Sequence, residues 1–403
     1  MTLQSTRARH LLSRVAFGGN AEEIRAFARY TPARAAAALL ATHTGRPTTA
    51  PPPWVHEPPP PPGERMMNRK ARRRTMRQRM FALKAWWWRE LIATRSPLTE
   101  WMTVFWHGHF TSESRKVKIP QLMYRQNALL RARGLGPFGD LLRAIARDPA
   151  MILYLDNQTN DRRTPNENFA RELLELFTLG EGHYTERDVK EAARAFTGWR
   201  IRKSTGAFHF ARHKHDPGLK TFLGRSGHFG GDDILHILLA QPRVAEHIVE
   251  KVWLAVLSPT PDPHVVRRLA SDFLANGLHV GKLMTALLTS EAFLDAPPGQ
   301  LIKSPVDLVA GTARLTGVRI PSDRNLVQTG RALGQDLLDP PNVKGWAGGR
   351  DWINTTSLLR RYELLQWVAA RTTLPPQEVL FAIAPGQTSH TGAAILDPHF
   401  QLK

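Results

Sequence analysis

Two glutamates three residues apart are the most chemically suggestive feature of this chain. From Pro165 onward the apolar residues recur at helical spacing. At about 100° per residue, Asn168, Arg171, Glu172 and Glu175 fall in one narrow arc, with Phe169, Leu173, Leu174, Leu176 and Phe177 on the other side. Two carboxylates at i and i+3 beside an Asn can ligate a hard cation or serve as acid and base. The plainer alternative is a solvated face closed by an Arg171–Glu175 pair at i,i+4. Glu167 lies off this arc and is accounted for by a capping box, Thr164-Pro165-Asn166-Glu167, with Pro at the first helical position and Gly180 closing the helix.

Histidines supply the other candidates. His107-Gly108-His109 ends an apolar helix that runs through Trp101, Met102, Val104, Phe105 and Trp106. Residues two apart diverge on a helix, but a stop at Gly108 would let both imidazoles converge on a metal or a proton path. Two core histidines bonded to the main chain are the alternative. Further on, His209, His213 and His215 share parity, so an extended strand would place them on one face. Asp216 could orient an imidazole there, while Arg212 and Lys214 favour an exposed basic loop. The candidates for acid–base work are therefore Glu172, Glu175, His215 and Asp216, and those for metal ligation are His107, His109, Glu172 and His215. Such a mixed donor set would suit Zn, Mn or Fe rather than Ca alone. The loop Pro340–Trp352 carries Lys344, which could touch an anion, but packing is the favoured reading of its Gly and Trp residues. No Ser elbow, GxGxxG, HExxH or EF-hand occurs, so the common serine hydrolases, dinucleotide enzymes and zincins find no support.

The elements that must position these residues read as mainly α: a multi-helical chain in two helical layers or subdomains, with a small β-hairpin excursion near 199–230, where Gly and aromatic residues alternate. Residues 1–45 read as short helices. Residues 46–63, dominated by Pro51–Pro53 and Pro58–Pro62, read as a semi-rigid connector outside the core. A long helix over 64–94 is basic in its first half and carries Trp86, Trp87 and Trp88 in its second, so it should be solvated at one end and buried at the other. The central helical region extends to 230 and a C-terminal helical region spans 231–373. Residues 374–403 read as a tail that frays from about 386.

Lys and Arg exceed Asp and Glu by 55 to 35, a net charge of +20. The excess, concentrated at 65–79, favours weak, non-specific contact with polyanions, although a GC-rich coding bias yields the same composition. There is no Cys, which removes disulfides, thiolate metal sites and Cys nucleophiles. No apolar run approaches the ~18 residues of a membrane span. The first residues lack the apolar core and cleavage site of a signal peptide, so a cytoplasmic location is expected, with export alongside a partner left open.

Several segments together resemble the bacterial "domain of unknown function 1800" family. Arg9-His10-Leu11-Leu12-Ser13-Arg14-Val15-Ala16-Phe17-Gly18 is similar to its opening motif, and Phe105-Trp106-His107-Gly108-His109-Phe110 to its paired-His motif. Leu155-Asp156-Asn157, the run Asn166–Gly180, Tyr184-Thr185-Glu186 and Ala195–Trp199 resemble its central block. His215-Asp216 through Lys220, and Pro340 through Trp346, resemble its later signatures. Relatives often place Asn between the paired His, where this chain has Gly108, and many carry export signals. The resemblance brings no settled activity. It implies a protein partner, because such genes often neighbour a second uncharacterised family with a sulfatase- or phosphatase-like fold. Three functions follow as expectations: a polar pocket serving a metal-dependent hydrolase or oxygen-using enzyme, a non-enzymatic partner or maturation protein, and a weak polyanion binder.

Overall fold

The computed structural model describes residues 2–59, 66–202, 204–375, 378, 381 and 391–403. The chain folds as a mainly α protein. Pro at the first helical turn recurs as the starting device, because its fixed φ suits the helix and its missing N–H would be unpaired there in any case. It opens α3 (Pro32–Ala41), which follows α1 (Gln4–Val15) and α2 (Ala21–Ala28). It also opens α5 (Pro97–His109), after α4 (Met66–Ala93). After α6 (Ser114–Val117), Pro again starts α7 (Pro120–Arg133), and after α8 (Phe138–Ala146) it starts α9 (Pro149–Tyr154).

The middle of the chain is less regular. α10 (Asn168–Glu172) runs directly into a π-helical segment, Leu173–Thr178, and α11 (Glu186–Ala195) follows. The β excursion is two separate antiparallel hairpins rather than one. β1 (Trp199–Ile201) pairs with β2 (Phe208–Phe210), and β3 (Lys220–Phe222) pairs with β4 (Arg225–Gly227). Then come α12 (Gly231–Leu239), α13 (Pro242–Val256), α14 (Pro263–Ala275), α15 (Val280–Leu288), α16 (Glu291–Leu294), α17 (Pro305–Thr316), α18 (Asp323–Ala332) and α19 (Thr355–Ala369).

One continuous buried cluster runs from Leu3 to Leu338, with a smaller one of Leu308, Leu365, Val368, Ala394, Ile395 and Phe400 near the end of the chain. The long helix α4 divides as its sequence predicts. Arg73, Arg74 and Arg77 are exposed, while Trp86, Trp87 and Trp88 are all buried. Three consecutive buried residues span some 200° of a helix surface, so α4 ends enclosed by neighbours, among them α5, α7, α17 and α18. Beneath it, Arg131 of α7 and Glu100 of α5 form an ion pair with both side chains essentially inaccessible. Asn127 Oδ1 accepts from Arg131 Nη1 at 2.8 Å and the Trp87 indole N–H donates to Glu100 at 3.3 Å, so the pair is hydrogen-bonded as well as charged.

Two expectations give way here. The Pro-rich segment is not wholly outside the core: Val55 is buried, and Thr48 and Thr49 donate main-chain N–H groups to Glu90. Its residues 60–63, and Arg65 of the basic run, lie outside the described residues. The end of the chain does not fray where it is described. Residues Thr391–Leu396 form a helix, Ile395 is buried, and Leu402 bridges Ile302. The stretch 386–390 lies outside the described residues.

Candidate functional site

The helix carrying the two glutamates starts later than its sequence suggests. Thr164 is taken into an antiparallel bridge with Asp161, so no capping box forms at Thr164–Glu167 and α10 begins at Asn168. Asn166 Oδ1 accepts from the Asn168 N–H at 3.0 Å instead. At the next helix a capping box does form, the Asp188 N–H donating to Thr185 Oγ1 at 3.2 Å and the Thr185 N–H to Asp188 Oδ2 at 2.9 Å.

From Leu173 the helix widens to i→i−5 bonding, with the Leu179 N–H reaching Leu174 O at 2.9 Å. The extra residue per turn moves Glu175 out of register with Arg171. That guanidinium pairs with Glu186 at 2.7 Å and Glu167 at 3.1 Å, not with Glu175. Glu175 is left to accept from the Tyr184 hydroxyl at 3.1 Å and to face Lys344 Nζ at 3.9 Å. Glu172 is half-buried. Burial first, and the charge of Glu175 second, raise its pKa, against the opposing pull of Lys344 and Arg171. The arrangement is thus a carboxyl biased toward its protonated form beside a carboxylate held by a phenol and an ammonium.

A π-helical end leaves carbonyls without intrahelical partners, and the histidines serve these. His109 Nε2 donates to Phe177 O at 3.2 Å, His247 Nε2 to Leu176 O at 3.0 Å, and Arg243 Nε to Leu179 O at 3.0 Å. Because a carbonyl only accepts, each imidazole carries its proton on Nε2. Burial holds His109 well below its ordinary value and His247 down at about 4, and nearby Lys251 pushes in the same direction. Neither His247 nor Arg243 stands in a recognisable motif, and the π-helix that needs them has no sequence signal.

The paired histidines do not converge. α5 continues through His109 instead of stopping at Gly108, so residues two apart point to different sides. His109 faces Phe177 and His247, whereas His107 packs between Trp87 and Trp346, with ring centroids 5.4 and 5.6 Å away. His107 is buried and pushed down to about 4, and its Nε2 has no partner among the described residues. Gly108 has a different use: Gly345, in the left-handed region at φ +81°, sits so close that a Cβ there would lie 2.4 Å from the Gly108 carbonyl oxygen. This contact seats the loop that brings Lys344 to Glu175 and Trp346 to His107.

His215 and Asp216 belong to a separate polar knot. The strand-parity expectation fails because β2 ends at Phe210 and Arg212–Lys214 form a 3-10 turn, so His209, His213 and His215 share no face. His215 Nδ1 lies 3.0 Å from Thr197 O, and burial lowers its pKa. Burial alone would raise Asp216, but its bonds from Arg194 Nε at 2.7 Å and the Gly218 N–H outweigh that and hold it low. Arg194 stands in the last turn of α11 and Tyr184 just before its first, about 15 Å apart at 1.5 Å rise per residue. Asn157 and Asn160, in the turn between the two regions, are buried and bonded to Trp199 O and Ala193 O.

His107, His109, Glu172 and His215 therefore do not form one coordination shell. Among the described residues, no three His, Asp or Glu side chains are grouped to hold a metal ion. No helix among them is long and apolar enough to cross a membrane. A family model described as "Protein of unknown function (DUF1800)" matches residues 10–400. No curated protein and no solved structure matches the chain.

Proposed function

Since the chain belongs to the DUF1800 family, whose description names no activity, its own residues must supply the reading, and we propose that it is a hydrolase-type enzyme using Glu172 and Glu175 as an acid–base pair. The observation that carries this is the unequal environment of the two carboxyls: burial and a like charge favour protonated Glu172, while Tyr184 and Lys344 face Glu175. In the proposed step Glu175 takes a proton from an attacking water and Glu172 gives its proton to the leaving group, so one water adds across the cleaved bond. Lys344 opposes charge that develops on the substrate. The expected four-residue metal shell does not fit the positions of its members, so no step passes through a metal.

The test is spectroscopic first. Difference infrared titration of the protein against Glu172→Gln should assign to Glu172 a carboxyl protonating above the ordinary glutamate range. Glu172→Gln and Glu175→Gln should then each abolish hydrolysis of whichever ester, phosphoester or glycoside the wild type cleaves, with folding unchanged. A Glu172 that titrates normally would remove the acid from this scheme.

A second reading has its own observation. Arg73, Arg74 and Arg77 are exposed along one helix without interleaved aromatic residues, which supports weak, salt-sensitive polyanion contact. Duplex binding that survives high salt would contradict it.

A further inference from the structure

A cleft of about 430 Å3 opens between the last turn of α18, the loop through Pro341 and Trp346, and the first turn of α19. Its volume falls in the range of small-ligand clefts, ~300–1,000 Å3. We propose that it binds a neutral, polyhydroxylated ligand, a short oligosaccharide segment.

The lining carries the argument. Trp346 and Trp352 both line the cleft and are only partly buried. Neither indole N–H has a protein partner among the described residues, so both are free to meet a ligand. A partly exposed indole offers a flat, electron-rich face to the weakly positive C–H face of a sugar ring, and its free N–H a donor for a hydroxyl. The same lining holds one cation, Arg331, and one anion, Asp351. Arg331 is 74% exposed and sits 3.8 Å from Asp336, whose Oδ1 Lys84 already binds at 2.6 Å, so most of its donors remain free. Asp351 has no ion pair among the described residues. With Asn354 and Thr356 beside them, the cleft presents donors and acceptors in balance and no net charge. On a chain of +20 that balance is selective. A polyanion gains more from the basic half of α4, and an aliphatic ligand would cover Arg331 and Asp351 without offering either a hydrogen-bond partner.

The loop that forms one wall also carries Lys344 to Glu175, two residues before Trp346. The binding assignment stands on the cleft alone. Taken with the acid–base reading, it names the substrate class.

The experiment is calorimetric and fluorescence titration of the full chain with cellobiose, maltose and N,N′-diacetylchitobiose, with digalacturonate and a proline-rich peptide as controls. At least one neutral disaccharide should bind saturably. Trp352→Ala and Asp351→Asn should each weaken it roughly tenfold or more. Asp351 is exposed, so its variant carries the test if Trp352→Ala fails to fold. No saturable binding by any of the three, a preference for either control, or affinity unchanged in Asp351→Asn overturns the proposal. Binding that persists without any Glu172-dependent hydrolysis would instead count against the acid–base reading and leave this one standing.

Discussion

Replacing Gly345 with Ala should damage the protein far more than the same change at Gly349, four residues along the same loop. Gly345 has φ +81° and Gly349 φ +54°, so both replacements incur the left-handed penalty of an L residue, about 1–2 kcal/mol. They differ in what the new methyl meets. At Gly349 there is nothing within 4 Å, whereas at Gly345 the methyl would lie 2.4 Å from the Gly108 carbonyl oxygen and 3.2 Å from its carbon. Both are main-chain atoms of α5 that cannot rotate aside, so an overpacking cost of about 1–3 kcal/mol is added unless the loop lifts. Gly108→Ala approaches the same contact from the helix side, where its Cβ would meet only Trp346 at an ordinary 3.8 Å. An Ala near the end of a helix should be neutral or stabilising by up to ~1 kcal/mol. Thermal and urea unfolding of the three variants gives the ranking directly. The Gly345 variant should also change the intrinsic tryptophan fluorescence, because the loop holds Trp346 against His107. Equal unfolding midpoints for the Gly345 and Gly349 variants would refute the idea that this close approach seats the loop.

Arg131→Met should cost about 3–5 kcal/mol by stranding the inaccessible Glu100 carboxylate, and adding Glu100→Leu should recover part of that loss. Full additivity of the two changes in a double-mutant cycle would show that the pair is not coupled. Acid sensitivity should trace in part to His247. Its pKa is about 4 folded against an ordinary 6.5, so on acidification the unfolded chain takes up the proton first. Stability is therefore whole above pH 6.5 and falls by roughly 1.4 kcal/mol per pH unit toward pH 4. His247→Gln keeps an N–H for Leu176 O and should flatten this slope; an identical fall in melting temperature between pH 7.5 and 4.5 in both proteins would disprove the assignment.

Local chemistry made much of this protein readable from its residues. Pro at most helix starts and the Thr185–Asp188 cap act within a few residues of themselves, so they mark their helices without help from the rest of the chain; Thr164-Pro165 is the exception, drawn into the bridge with Asp161. The basic and Trp-rich halves of α4 declare their environments for the same reason: charge and apolar area set their own transfer cost. The two glutamates were legible as residues, but not their partners. Helical geometry at 3.6 residues per turn pairs Arg171 with Glu175, and the π-helical segment undoes that pairing. Such a segment persists only because His109, His247 and Arg243, 68, 71 and 64 positions distant from the carbonyls they serve, satisfy what it leaves open. Whether Gly108 ended its helix, and hence whether two imidazoles met, depended likewise on packing against Phe177, Trp87 and Trp346. The sequence determined which side chains could do chemistry; long-range packing decided which of them face one another, because an interaction between distant residues has no local free energy for a short stretch of chain to reveal.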